Sequence, residues 1–131
     1  MNAPMEHGAI LATIGEMLAD SLAVDAATIG AESRLIDDLG MDSLDFVELV
    51  FSLERRFGVK MRSAELDALL RAEFEPGQLV DGKFLAPAEL DRFAEWLPGI
   101  AAAPDRALVE PSHLYGYITV ESLARLVERR M

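Results

Sequence analysis

Apolar residues at three- and four-residue spacing open the chain. Ile10, Leu11, Ile14, Met17, Leu18 and Leu22 fall on one face of a helix over residues 9–22. The period fails over residues 23–41, where Gly30 and Gly40 stand among scattered apolar residues, Ile29, Leu35, Ile36 and Leu39. That pattern predicts a long loop pinned to a core. The period returns at Asp42. From there to Phe57, one face carries Phe46, Leu49, Val50, Leu53 and Phe57, and a polar stripe carries Asp45, Glu48, Ser52 and Arg55. Leu44, Val47 and Phe51 lie beside that stripe and are expected to be exposed. Asp42 suits the N-cap, Asp45 three residues on makes a variant of the capping box, and Gly58 suits the C-terminal stop.

The remainder is less regular. Helices are predicted over residues 63–73 with Ser63 as cap, over 87–97 with Pro87 in the first turn, and over 119–130 with Thr119 as cap. Leu123, Leu126 and Val127 are the buried positions of the last. Pro76-Gly77 and Asp81-Gly82 mark turns, and a tiny hairpin fits residues 78–85 around the second. Residues 98–116 hold three prolines and two glycines and read as mostly loop. Trp96, Phe93 and Leu97 are candidate core. The fold class is all-α, as a single domain over residues 1–131.

Charge adds a polarity that periodicity does not show. The formal net charge is −11, yet residues 1–54 hold 11 acidic residues and one base, Arg34, while residues 55–131 hold 12 acids and 11 bases. The first part should present a negative surface that steers encounters with basic partners. Nucleic acid is not expected as a partner, because phosphate binding needs concentrated Lys and Arg. There is no cysteine, which excludes disulfides, thiolate zinc sites and cysteine nucleophiles. No stretch approaches the roughly 20 apolar residues of a membrane span, and residues 1–10 lack a basic signal-peptide start. A cytoplasmic protein is expected. Asp37, Asp38, Asp42 and Asp45 lack the alternating ligand spacing of a calcium loop. His7 and His113 are far apart and expected to be surface or loop residues. No paired acid and base, phosphate loop or nucleophile–base set is present, so no catalytic residue is assigned.

The chemistry concentrates at Asp38-Leu39-Gly40-Met41-Asp42-Ser43-Leu44-Asp45. Here a serine follows an acidic cap in the first turn of a helix, where backbone amides and the macrodipole favour a phosphodiester. Asp42 and Asp45 would repel that anion, which makes sense if their carboxylates attract a basic partner. Residues 35–57 as a run resemble the central motif of acyl carrier proteins. The helix over 9–22 and the segment Ile118-Thr119-Val120-Glu121-Ser122-Leu123 resemble that family's first and last helices.

The resemblance implies an up-and-down helical bundle and a carrier rather than an enzyme. By it, Ser43 matches the serine that a phosphopantetheinyl transferase modifies. The hydroxyl attacks the β-phosphate of coenzyme A and gains a 4′-phosphopantetheine arm that holds acyl groups as thioesters. Asp42, Asp45 and Glu48 match the acidic partner-recognition positions, and Leu44, Val47 and Phe51 the exposed apolar contacts. The implied partners are the transferase and acyl-handling enzymes, such as synthases, acyltransferases and reductases, with basic docking patches. The implied pathway is fatty-acid, specialised lipid or polyketide synthesis, and the implied state is a monomer that is not integral to a membrane. Aminoacyl or peptidyl cargo, or a non-carrying docking module, are the alternatives.

Two features depart from the family. Arg55 and Arg56 stand where acids are usual, and about fifty residues, roughly 62–117, intervene before the last helix. That segment is expected to be a mainly helical insertion packed on the bundle near Phe46.

Overall fold

A computed structural model describes residues 6–61, 63–71, 73–100 and 106–130. The first apolar stripe is buried along α1 (His7–Leu22), with Ile10, Ile14 and Leu18 fully enclosed. Leu11, Met17 and Leu22 border them, half-buried or exposed at their edges. The long loop follows, interrupted by a short 3₁₀ turn at Ala26–Thr28. Leu35 is its fully buried pin, while Ile29, Ile36 and Leu39 pack half-buried against the core.

The clearest sequence pattern becomes α2 (Ser43–Phe57). Phe46, Leu49, Val50 and Leu53 are buried, and Gly58 ends the helix at φ 67°, a left-handed conformation that glycine takes without a Cβ clash. Ser63 Oγ accepts from the Leu66 amide at 3.1 Å and starts α3 (Ala64–Arg71), shorter than predicted.

The hairpin forms as predicted. β1 (Leu79–Val80) pairs antiparallel with β2 (Phe84–Leu85), Leu79 opposite Leu85 and Val80 opposite Phe84. Asp81 and Gly82 both take positive φ, 56° and 65°, as a tight hairpin turn of the matching twist requires. α4 (Pro87–Ala94) ends earlier than the predicted Leu97, consistent with Pro98, which disfavours helical backbone at the residue before it. Residues 98–116 are not plain loop: Pro98–Ile100, Arg106–Leu108 and Pro111–Tyr117 are 3₁₀ turns, and residues 101–105 lie outside the described residues. The chain ends in α5 (Val120–Arg130), whose Leu123, Leu126 and Val127 are buried. Thr119 caps it: Thr119 Oγ1 accepts from the Ser122 amide and Ser122 Oγ from the Thr119 amide, at 3.2 and 3.1 Å. The protein is thus mostly helical, with one two-stranded ribbon.

One hydrophobic cluster joins these elements. It runs from Ile14 and Leu53 in the bundle through Phe93, Trp96 and Leu97 to Leu123 and Val127. Phe46 packs edge-on against Tyr115 with ring centroids 6.1 Å apart, so the segment 62–117 does meet the bundle at Phe46. Phe93 contacts both Phe74 and Trp96, at 5.9 and 6.0 Å.

The loop before α2 also holds the start of α5. The Leu35 amide donates to Ile118 O, the Val120 amide to Ser33 O and the Glu121 amide to Ala31 O, around a single bridge between Arg34 and Thr119. The Met41 amide donates back to Leu35 O, so α2 and α5 start at the same end of the molecule.

His7, expected at the surface or in a loop, opens α1 half-exposed and is tied to α5. Its Nε2 lies 2.7 Å from Glu121 Oε1 on α5, and its Nδ1 meets Glu128 two turns further along the same face. Only the imidazolium can donate from both nitrogens. Hydrogen bonds to Glu121 and then Glu128 raise the His7 pKa above 6.5, against a smaller opposing effect of burial. Burial pushes Glu121 up, but hydrogen bonds from His7 and Arg125 outweigh it and hold that carboxyl below its usual value. The folded state therefore binds the His7 proton more tightly than the unfolded chain. This contribution to stability is complete below about pH 6.5 and is lost as pH rises through the raised folded value. Glu121 stays ionised across that window. The urea midpoint is expected to be higher at about pH 6 than at about pH 9, and His7→Gln to remove most of that difference.

Candidate functional site

The segment leading into α2 is a closed turn. The Asp38 and Leu39 amides both donate to Arg34 O, and the Gly40 amide donates to Ile36 O. Asp38 accepts from the Arg34 amide at 2.8 Å and from its guanidinium at 3.1 and 3.3 Å. Those bonds, side chain first and then backbone, hold the Asp38 carboxyl below its usual range. Asp37 meets the same guanidinium at 3.4 Å. Gly40 reverses the chain at φ 72°, and Met41 plugs into the core with 4 % of its surface exposed. A buried Met41 and a fully buried Phe46 fix both flanks of residues 42–45.

Asp42 then takes extended backbone and caps the helix. Its Oδ1 accepts from the Asp45 amide at 2.8 Å, and Asp45 Oδ2 accepts from the Asp42 amide at 3.2 Å, a reciprocal capping box. The cap and the box are those that the sequence predicts. The two carboxylates are not there only for a partner, because each also satisfies a backbone donor of the helix start. The box uses the amides of the cap and third positions. The two amides between them, at residues 43 and 44, are those a phosphodiester at this helix start can use. Residue 43 is the first of α2; the Ser43 side chain lies outside the described residues.

Beyond the cap, α2 presents a mixed face. Leu44 is 65 % and Phe51 39 % exposed, seven residues apart and thus on one side of the helix. Glu48 lies between them, exposed, as are Asp45 and Asp42. Val47 is half-buried rather than fully exposed, since it borders the Phe46–Val50 side. Arg55 and Arg56 are exposed at the C-terminal end, where cations suit the helix dipole. Glu54 turns away from this face and accepts from the Met61 amide at 2.9 Å.

Sequence reasoning brought Asp42, Ser43, Leu44, Asp45, Glu48 and Phe51 to one helix, and there they are. It missed Arg34, which clasps Asp37 and Asp38 and stiffens the approach to the helix. The spacing of Arg34 and Asp38, four residues apart, was the available signal. It also missed Tyr115, for which no local signal exists. Among the described residues, no three His, Asp or Glu side chains are grouped so as to hold a metal ion, and no helix is long and apolar enough to cross a membrane.

The comparison with known families and proteins falls on the same region. Residues 12–71 match the family described as phosphopantetheine attachment site. An acyl carrier protein of Thermotoga maritima is 42 % identical over 60 residues, 46 % of this chain and 74 % of that protein. One of Clostridium acetobutylicum is 46 % identical over 54 residues, 41 % of this chain and 70 % of that protein. The acyl carrier protein AcpXL of Rhizobium etli is 46 % identical over 48 residues, 37 % of this chain, so the chain spans about half the length of that relative. No solved structure matches.

Proposed function

The chain belongs to the acyl carrier protein family, and from that premise we propose that Ser43 bears its covalent 4′-phosphopantetheine arm. Proteins of this family carry acyl groups, and the arm supplies the thiol on which an acyl group rides as a thioester. The choice of Ser43 rests on one observation: residue 43 is the first of a helix whose cap is already made by Asp42 and Asp45. Residue 43 is thus not needed as the cap. The helix start also fits the group chemically, since its dipole and remaining amides favour an anion there. With no cysteine in the chain, the arm's thiol is the sole thiol on the loaded protein.

Incubation with coenzyme A, Mg²⁺ and a broad-range phosphopantetheinyl transferase tests this. Intact mass is expected to rise by about 340 Da, the mass of the arm. No increase with several transferases would overturn the assignment.

The partner face in this reading is Asp42, Leu44, Asp45, Val47, Glu48 and Phe51. Two exposed apolar residues with an acid between them suit a basic docking patch that has an apolar centre. The partners are the transferase and acyl-handling enzymes: synthases, acyltransferases and reductases. Glu48→Lys should lower the transferase kcat/KM roughly tenfold at low salt, less at high salt, with melting unchanged. An unchanged kcat/KM would remove Glu48 from the face.

The chain is read as one carrier domain with an insertion at about 62–117, working as a cytoplasmic monomer. Arg55, Arg56 and the added segment favour a specialised lipid or polyketide pathway over housekeeping fatty-acid synthesis, because they change the surface that partners meet.

A further inference from the structure

The turn that leads into α2 faces the 3₁₀ segment Pro111–Tyr117 across a cleft of about 470 Å³. Arg34, Ile36 and Asp37 line it from the turn, and His113, Tyr115 and Tyr117 from the segment. Ile36 and both tyrosines are half-buried, whereas Arg34, Asp37 and His113 are exposed. The cleft therefore has an apolar, aromatic floor beneath a polar rim. The size is that of a site for one small organic group.

Its distance from the attachment point follows from one contact. Tyr115 touches Phe46, with ring centroids 6.1 Å apart. Ser43 and Phe46 are three residues apart on α2, about 5 Å. The Tyr115 ring is thus within about 15 Å of the Ser43 backbone. An extended pantetheine arm spans roughly 20 Å at ordinary bond lengths, so it reaches the cleft.

The chemistry of the cleft also suits the arm better than an aliphatic chain. A pantetheine carries two amides and a hydroxyl separated by short methylene runs. Amides need partners wherever they leave water. His113 Nδ1 accepts from the Glu110 amide at 3.0 Å, and its Nε2, 3.7 Å from Glu110 Oε2, is a donor on the rim that Glu110 partly engages. Arg34 and Asp37, already paired with each other, add a guanidinium and a carboxylate to the rim, and the aromatic lining can cover methylenes. A bare alkyl chain would leave that polar rim unmatched.

Building on the reading that Ser43 bears the arm, we infer that this cleft is a resting groove for it, holding the pantetheine portion against Pro111–Tyr117. The segment 62–117 then shelters the arm and not only the core.

A nitroxide attached to the arm's thiol tests this cleanly, since the chain has no cysteine of its own. In amide spectra of the full-length loaded protein, residues 34–37 and 112–117 are expected to lose intensity several-fold relative to the reduced label. Ser112→Trp, at an exposed position lining the cleft, should fill it and abolish that local loss while loading continues. Broadening confined to α2 and α3, broadening spread evenly over the surface, or a local loss that survives Ser112→Trp would each overturn the groove. Mass of the same sample reports loading separately. An unloaded chain overturns the Ser43 assignment and the groove with it, whereas a loaded chain without the local loss overturns the groove alone.

Discussion

Ser43→Ala is expected to abolish arm loading completely: the mass increase of about 340 Da should vanish, with no residual modification elsewhere. The serines at the starts of the α-helices α3 and α5 are already committed. Ser63 Oγ caps α3 through the Leu66 amide, and Ser122 is fully buried and bonded to Thr119. Ser43 differs because Asp42 supplies the cap of its helix and Asp45 completes it. Melting should therefore barely move in Ser43→Ala, since alanine is a good helix former and no cap is lost. A variant that folds like the parent and still gains the arm would displace Ser43 from the role. The same variant separates a carrier from a docking module: a chain that acts only by its surface keeps full biological function without the serine.

Replacing residues 62–117 by a flexible glycine–serine linker is expected to remove cooperative unfolding altogether. The linker avoids straining the ends, so the result reports on shared packing. The bundle would lose Tyr115 from Phe46, a ring with none of its surface exposed. It would lose Trp96, Leu66 and Leu69, buried members of the cluster that includes Leu123, Leu126 and Val127. The carbonyl of Glu95, which accepts from Arg125 at 3.1 Å, would go as well. Each large apolar side chain returned to water costs about 1.5–3 kcal/mol, and a domain of this size holds only about 5–15 kcal/mol in total. Uncovering three or four such side chains costs about 5–12 kcal/mol, comparable to that margin. Circular dichroism against urea checks this, and a sharp transition at the parent midpoint would show that the segment is a detachable appendage.

Local rules carried the sequence reading as far as local forces act. α1, α2 and α5 were legible because their apolar residues repeat at the helical period, and α2 and α5 also because their caps are nearby in sequence. The ribbon at Leu79–Leu85 was legible because Asp81-Gly82 tolerates two successive positive φ values. Even the meeting of Phe46 with the added segment followed from its place on the core face. What escaped was pairing at long range. His7 meets Glu121 and Glu128 more than a hundred residues away, and nothing around His7 announces them. At the candidate site, the residues on α2 were legible as a motif, and the capping by Asp42 and Asp45 was legible from their three-residue spacing. Capping and partner recognition ask for the same carboxylates, so sequence alone could not separate them.

The bridge between Arg34 and Thr119 has a consequence for how the protein comes into being. It closes a loop of about 85 residues, at a chain-entropy cost of about 4 kcal/mol by the usual logarithmic scaling. A small helical bundle dominated by neighbouring contacts folds fast; one that must wait for this closure folds more slowly. On the ribosome, the turn that holds Arg34 finds its partners Ile118 to Glu121 only after those residues have emerged. The turn before the helix start at residue 43 is therefore expected to reach its finished setting only once residues 118–121 are available to pair with it.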